Sequence, residues 1–358
     1  MYLKISIRNV LRNKRRVLIT IASMVFGFTL YIFFESLFSG MDKMLLESLI
    51  KYSDGSIVIY TKEYDKNKKS FPLDKSISNP QQVIRLINNF LPKIELSATY
   101  RTQFLAELVA FGNSKYVTVQ AVEPILDTGV FELKNSIKKG EYFTQNNKYE
   151  ALIGKKLAEE LNLNVRDIFT IITRTKNDIY NAIDFIVVGL LDTPLAMLNE
   201  SSVIIKYETA EELLNLENTA TSIHIKVHWK SKENIFQYSK RIEKLSQKIS
   251  TILGDNYKVY PFTELYKDFI ILMQQKKISS SIITFILLLI AAVGIANTIL
   301  MSVYERIKEI GVLMAMGFKP KQIRKLFLLE GLIIGFVGSI LGMFFGALAN
   351  LWLTKSGI

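Results

Sequence analysis

Two histidines, His224 and His228, stand four residues apart. On a helix that spacing puts both imidazoles on one face, as in the zinc motif H-E-x-x-H. Here Ile225, Lys226 and Val227 intervene, with no glutamate, and the segment reads as a strand. A metal role is not expected. The chain has no cysteine, which excludes a disulfide scaffold, a thiolate zinc site, an iron–sulfur cluster, a cysteine nucleophile and a lipid-modified N-terminal cysteine. Gly154-Lys155 lacks the upstream glycine and the following hydroxyl residue of a phosphate-binding loop, so ATP hydrolysis by that route is not expected either. No G-x-S-x-G or other nucleophile arrangement occurs. The pattern predicts no catalytic residue, no metal and no directly bound cofactor.

The remaining chemistry is charge, and it is unevenly placed. The 358 residues carry a formal charge of +12, are 49% hydrophobic and have a mean hydropathy of +0.21. Three runs lack any charge: 17–34, 278–304 and 331–354. Each approaches or exceeds the roughly 20 apolar residues needed to cross a bilayer. Residues 1–16 hold six basic residues and no acid, and 305–330 hold six basic and three acidic ones. The long stretch 35–277 is almost neutral, with 32 basic and 30 acidic residues. Nine of the twelve net charges therefore lie in two short segments flanking spans. This positive-inside pattern predicts a cytoplasmic N-terminus, residues 35–277 outside, 305–330 inside and the tail 355–358 outside. It argues against nucleic acid as the partner. The first run is read as an uncleaved span, since Glu35, Leu37 and Phe38 stand where a signal peptide would need small residues.

Lys4, Arg8, Arg12 and Arg15 share one helical face and Leu3, Ile7, Val10 and Leu11 another, which predicts an amphipathic helix lying in the interface, with Arg8, Arg12, Arg15 and Arg16 as membrane anchors. A merely basic segment before the span explains the same residues. In 305–330, Ile307, Ile310, Gly311, Met314 and Phe318 follow helical spacing; Gly317 suits the helix end and Pro320 the start of the next. Glu305 and Glu309 are like charges four apart. Either an external basic partner or internal pairs, Glu305–Lys308 and Arg306–Glu309, would neutralise them. Met314 and Met316 suit an adaptable docking face. In the third run Gly331, Gly335, Gly338, Gly342 and Gly346 form a stripe at steps of 4, 3, 4 and 4. Glycine costs about 1 kcal/mol in a helix relative to alanine, and close packing against another helix offsets it in lipid.

The outer stretch mixes strands and helices. Ser56–Tyr60, Tyr116–Ala121, Ile168–Thr173, Phe185–Leu190, Val203–Ile205 and Ile223–Val227 read as strands. Gly154–Leu163, Thr209–Leu216 and Glu233–Leu253 read as helices, and a further helix begins at Pro80 with Asn79 as its cap. The class is α+β. Tyr64–Lys75 reads as a polar, mobile loop. Met41–Leu49 continues the first span as helix, and Thr263–Lys277 runs into the second without a break, predicting two stalk helices.

Ser6-Ile7-Arg8-Asn9-Val10-Leu11-Arg12-Asn13-Lys14-Arg15-Arg16 resembles the N-terminal signature of the FtsX-like permeases of ABC transporters. Glu305–Gly311, Ala315-Met316-Gly317 and Phe327–Gly331 resemble that family's cytoplasmic loop and next helix. The outer stretch is similar to the MacB-like periplasmic core domain at Val122-Glu123-Pro124, at Leu152–Ala158 with Arg166-Asp167, and at Val187-Val188-Gly189. The resemblance implies a membrane α-helical protein with a large α+β extracytoplasmic domain between the first two spans, in the cytoplasmic membrane. It implies that Glu305, Arg306, Lys308, Glu309, Gly311, Met314 and Gly317 form a coupling helix docking on a separate ATPase dimer, which holds the ATP and magnesium. It further implies a second permease subunit, homo- or heteromeric, and mechanotransmission. A stand-alone permease of this topology resembles the lipoprotein-releasing subunits, which implies lipoproteins and a periplasmic carrier as partners. An exporter of peptides or drugs, a regulator of cell-wall hydrolases, and a membrane-anchored binding or signalling protein without an ATPase are the alternatives. The family has four spans and three are present here, which would make 355–358 a truncated tail. Arg166-Asp167 stands where the family has Gly-Asp. The loop Thr173–Ile183, where one lipoprotein-releasing subunit carries a carrier-binding hook, is short and polar.

Overall fold

The computed structural model describes residues 2–12, 14–92, 95–145, 147–229, 233 and 235–355; Asn13 of the N-terminal motif and 356–358 of the tail lie outside the described residues. The chain divides into two units, Met1–Lys43 with Ile271–Ile358, and Met44–Ile270.

The first unit is helical. Helices α1 (Tyr2–Arg12), α2 (Lys14–Ser48), α3 (Lys267–Glu305), α4 (Ile307–Ala315) and α5 (Pro320–Lys355) follow in chain order. By length and composition α2, α3 and α5 can each cross a membrane. All three outrun their uncharged cores: the 39 residues of α3 extend roughly 60 Å, about twice the hydrocarbon thickness. Large apolar side chains such as Phe26, Ile290, Val293 and Phe336 stand bare on them, as lipid-facing residues do.

The glycine stripe of α5 packs on two helices rather than one. A Cβ at Gly331 would meet Ile299 at 2.7 Å and Ile295 at 3.3 Å, both on α3, and Gly335 faces Ile295. Gly338, Gly342 and Gly346 face Met24, Phe28 and Ile32 of α2. The stripe covers four turns, roughly 22 Å of height, and over that height the close neighbour changes.

The second unit is α+β around a ten-stranded mixed sheet. Its strands are β1 (Ile57–Thr61), β2 (Leu96–Ala110), β3 (Asn113–Val122), β4 (Ile137–Gly140), β5 (Glu150–Gly154), β6 (Ile168–Arg174), β7 (Tyr180–Leu191), β8 (Ser202–Lys206), β9 (Ser222–Val227) and β10 (Tyr257–Pro261). Their order is β10-β1-β9-β2-β3-β8-β5-β7-β4, with β6 pairing β2 and β7. The pairs β3–β8 and β5–β7 are parallel and the others antiparallel. The helix Ile235–Leu253 sets Tyr238, Ile242, Leu245 and Ile249 against β1 and β9, in a core shared with Ile87 of the helix Pro80–Phe90. This spacing of four, three and four is the apolar stripe of an amphipathic helix. A second core packs Leu157, Ala158 and Leu213 on β3, β5, β6, β7 and β8.

Four expectations are corrected. The segment 64–75 is anchored: Thr61 caps a short helix, Lys62–Lys66, by accepting from the Tyr64 N–H at 3.1 Å, Tyr64 is buried and stacked on Tyr60, and Lys68 lies over the Tyr60 ring. Asn79 stands at the helix start in a left-handed conformation (φ 50°) and makes no side-chain cap; its Oδ1 accepts from Asn218 Nδ2 at 2.7 Å. Thr173–Ile183 is the turn and flanks of the β6–β7 hairpin, closed by Arg174–Asp178 and by Thr175 N–H donating to the Ile179 carbonyl, with Ile179 and Tyr180 exposed at its tip. The helix entering the second span is interrupted at Tyr266, between Phe262–Leu265 and α3; there the Tyr266 hydroxyl donates to Asp54.

Candidate coupling surface

Helix α4 is short because both ends are broken by sequence. Arg306 (φ −113°) lies outside helical geometry before it. Gly317 follows it at φ 93°, a left-handed value that glycine takes without a Cβ clash. Gly317 N–H donates to the Met314 carbonyl and Phe318 N–H to that of Leu313, which satisfies the helix end. Pro320 then opens α5, where a missing N–H costs nothing. None of the nine α4 residues is buried. Ile307, Val312, Met314 and Met316 are exposed, as are Lys308, Gly311 and Gly317, and no atom lies within 4 Å of where a Gly311 Cβ would stand. The surface is flat, apolar and open.

Its acids are neutralised from the N-terminal segment. Arg16 Nη2 donates to Glu305 Oε1 at 2.6 Å, and Arg12 Nη2 to Glu309 Oε1 at 2.7 Å. The hydrogen bond from Arg12 holds the Glu309 carboxyl below the usual carboxylate range. Of the two internal pairs expected, Arg306–Glu309 survives only at 4.0 Å. Arg12 and Arg16 are thus ion-paired within the protein rather than only facing lipid headgroups. Arg8 and Arg15 remain exposed, and so do Leu3, Ile7 and Leu11 on the apolar face of α1.

Arg306 is the clearest departure from the expected interface. It is 3% exposed and points inward. Its Nη1 donates to Glu330 Oε1 at 3.2 Å, and Asn9 Nδ2 donates to the same oxygen at 2.7 Å. Ser6 Oγ donates to the Leu326 carbonyl at 3.1 Å one turn away. Arg306 therefore ties the root of α4 to α1 and α5 and offers nothing to a partner. Ser6, Asn9 and Glu330 were not singled out as site residues. Their signal was weak but present: polar residues three apart in a basic motif, and one acid heading a 24-residue uncharged run.

Among the described residues the two histidines sit in structural positions. The imidazole of His224 is buried, with Nδ1 2.9 Å from the Asp54 carbonyl and Nε2 2.8 Å from Ser222 Oγ, while His228 lies near Ser97. Both His224 nitrogens are engaged, and among the described residues no group of three His, Asp or Glu could hold a metal. Gly154 is glycine for a structural reason: a Cβ there would strike the carbonyls of Leu198 and Asn199.

The MacB-like periplasmic core domain family matches residues 17–245, and the FtsX-like permease C-terminal family matches 281–358. An uncharacterized ABC transporter permease of Methanocaldococcus jannaschii is 26% identical over 345 residues, 95% of this chain and 81% of that protein. The lipoprotein-releasing system transmembrane protein LolC of Neisseria meningitidis is 21% identical over 341 residues, 92% of this chain and 76% of that protein. The crystal structure of the periplasmic region of MacB from Actinobacillus actinomycetemcomitans aligns with a TM-score of 0.39 at 13% identity, covering 60% of this chain and 91% of that one. The chain belongs to the ABC transporter permeases that join a MacB-like periplasmic core domain to an FtsX-like permease segment.

Proposed function

We propose that this permease takes mechanical work from a separate ATPase at α4 and delivers it outside the membrane, and that the work is release of lipoproteins from the membrane surface. The observation that carries the first step is that no residue of α4 is buried and seven of its nine are exposed, with its root fixed by buried Arg306 and its acids half-exposed. An apolar helix with a charged edge is the kind of surface that fits a protein groove. ATP and magnesium belong to the partner. The chain acts as one of a pair of permease subunits. Its N-terminus and α4 face the cytoplasm and residues 44–270 the opposite side, as the charge distribution requires. Helix α3 is one uninterrupted helix of 39 residues, a rigid element suited to carrying a push. Lipoprotein as the cargo is favoured by the relative named for lipoprotein release, which aligns along 92% of the chain.

The test is purification of the chain in detergent with whatever accompanies it. An ATPase together with bound acylated protein is expected. Met314→Glu with Met316→Glu is expected to reduce the recovered ATPase at least tenfold, since two charges would enter an apolar interface. An ATPase without lipoprotein, with no lipoprotein retained in the membrane on depletion, would exclude the lipoprotein cargo and favour a MacB-like exporter or a regulator of cell-wall hydrolases.

A further inference from the structure

Given the coupling role proposed for α4, we infer that the N-terminal segment is a brace that sets the angle of that helix, with Arg12 and Arg16 as positioning residues and Asn9–Glu330–Arg306 as the pivot. Helix α4 has no buried side chain, and only Ile310 and Leu313 among its residues are half-buried. Apolar packing therefore contributes little to its orientation. What holds it is charge: Glu305 on Arg16 at its root, Glu309 on Arg12 along its side, and Arg306 on Glu330 beneath.

The two layers differ in strength. The pivot is closed from water, with Arg306 and Glu330 side chains 4% and 5% exposed, and Asn9 adds a second bond to the same carboxylate oxygen. A buried pair with added hydrogen bonds resists rearrangement, because separating it strands a charge. The outer pairs are open: Arg12 and Glu309 are each 54% exposed, and Arg16 and Glu305 35% and 42%. Exposed pairs are weak. The arrangement is a fixed root with a releasable side-tie. A basic group of a docking partner can take Glu309 from Arg12 without disturbing the pivot.

The face that does this shares only Arg12 with the one the basic periodicity marks. Ser6, Asn9 and Arg12 advance by three residues each along α1, and Arg16 follows four later at the start of α2. These four make the inward bonds, while Lys4, Arg8 and Arg15 look outward.

Because the chain has no cysteine, spin labels can be placed on Lys4→Cys and Lys308→Cys, both exposed, and the distance between them measured in detergent on the full chain. Arg12→Glu with Arg16→Glu is expected to shift the population toward a separated, broader distribution by roughly 3- to 30-fold, the worth of two exposed pairs. Adding Glu305→Arg and Glu309→Arg should restore the narrow distribution, which general destabilisation would not do. Arg12→Gln with Arg16→Gln should give a smaller shift of the same sign, and serves if the reversed chain does not fold. ATP hydrolysis by the co-purified ATPase should fall with the reversal and recover with the swap. Distances unchanged by the reversal and by the glutamine pair, or not restored by the swap, overturn the brace. Failure of any ATPase to co-purify overturns the coupling role instead, since the distances read the permease alone.

Discussion

His224 shows how a single residue is committed by its surroundings. It lies on β9 beneath Phe131, with its ring edge-on at 5.5 Å, and burial, aided by the neighbouring Arg101 cation, pushes its imidazole down to about 4 from 6.5. Asp54 and Lys68 are its other charged neighbours. Arg101 is itself buried, bidentate on Asp127 at 2.8 and 3.0 Å and stacked over Phe131. The sign of the resulting pH dependence is fixed. Between pH 6.5 and 4 the unfolded chain binds a proton at this histidine and the folded chain does not, so stability falls as the pH drops through that window, by about 1.4 kcal/mol per unit. Above pH 6.5 the term vanishes. The full chain in detergent should therefore lose about 2 kcal/mol from this residue between pH 7 and 5. In His224→Asn the acid-side loss, read from denaturant midpoints at the two pH values, should shrink by that amount. An unchanged difference would show that His224 protonates freely when folded. Arg166 carries a different commitment. It holds φ 78°, a left-handed value that favours glycine, which gives a physical reason for the Gly-Asp that its Arg-Asp replaces.

At the scale of elements, the glycines of α5 decide how closely α2 approaches. A Cβ on Gly342 would sit 2.7 Å from Phe28 Cβ, and one on Gly346 2.9 Å from Ile32 Cβ. Both targets are Cβ atoms bonded directly to the backbone, so they cannot swing aside. Gly342→Leu is expected to cost about 1–3 kcal/mol by overpacking and to lower the thermal midpoint of the full chain. Gly335→Ala, whose Cβ would meet Ile295 at an ordinary 3.5 Å, should leave that midpoint nearly unchanged. Equal effects would mean that the stripe does not set the packing. The stripe, the three apolar helices, the stop at Gly317 and the restart at Pro320 were legible in sequence because each is local and periodic. The longest strand, β2, was not. Its second half, Leu105-Ala106-Glu107-Leu108, consists of good helix formers, and only its pairing with β3 and β6 makes it extended. The anchoring of 64–75 was hidden too, since Tyr64 is held by Tyr60 and their stacking has no signature in a Lys-rich run. Arg306 is the sharpest case. Its expected neighbour was Glu309, three residues on, while its actual partners, Glu330 and Asn9, lie 24 and 297 positions away.

At the scale of the whole molecule, the division into two units falls outside the uncharged runs. The two units meet in sequence near 43 and 270, beyond the uncharged runs, so α2 and α3 leave the apolar interval as helices before the α+β unit begins. The unit holding residues 44–270 lies within the near-neutral stretch, and the positive excess sits on α1, the start of α2, and 305–330. A basic segment beside a span resists translocation, and two such segments on one side would reinforce each other. Exposed Arg8 and Arg15 can still meet anionic headgroups even with Arg12 and Arg16 ion-paired to Glu309 and Glu305, at about 1 kcal/mol each near the surface. The cysteine-free background makes the orientation directly measurable. A single cysteine at exposed Lys156 should react with a membrane-impermeant maleimide in intact spheroplasts. Single cysteines at exposed Lys4 or Lys308 should react only after the membrane is opened. Labelling of Lys4→Cys or Lys308→Cys in sealed spheroplasts would invert the topology and remove α4 from reach of any cytoplasmic ATPase. Labelling of Lys156→Cys alone would place the α+β unit on the side of the membrane opposite to α4, the arrangement that the proposed transfer of work through the helices needs.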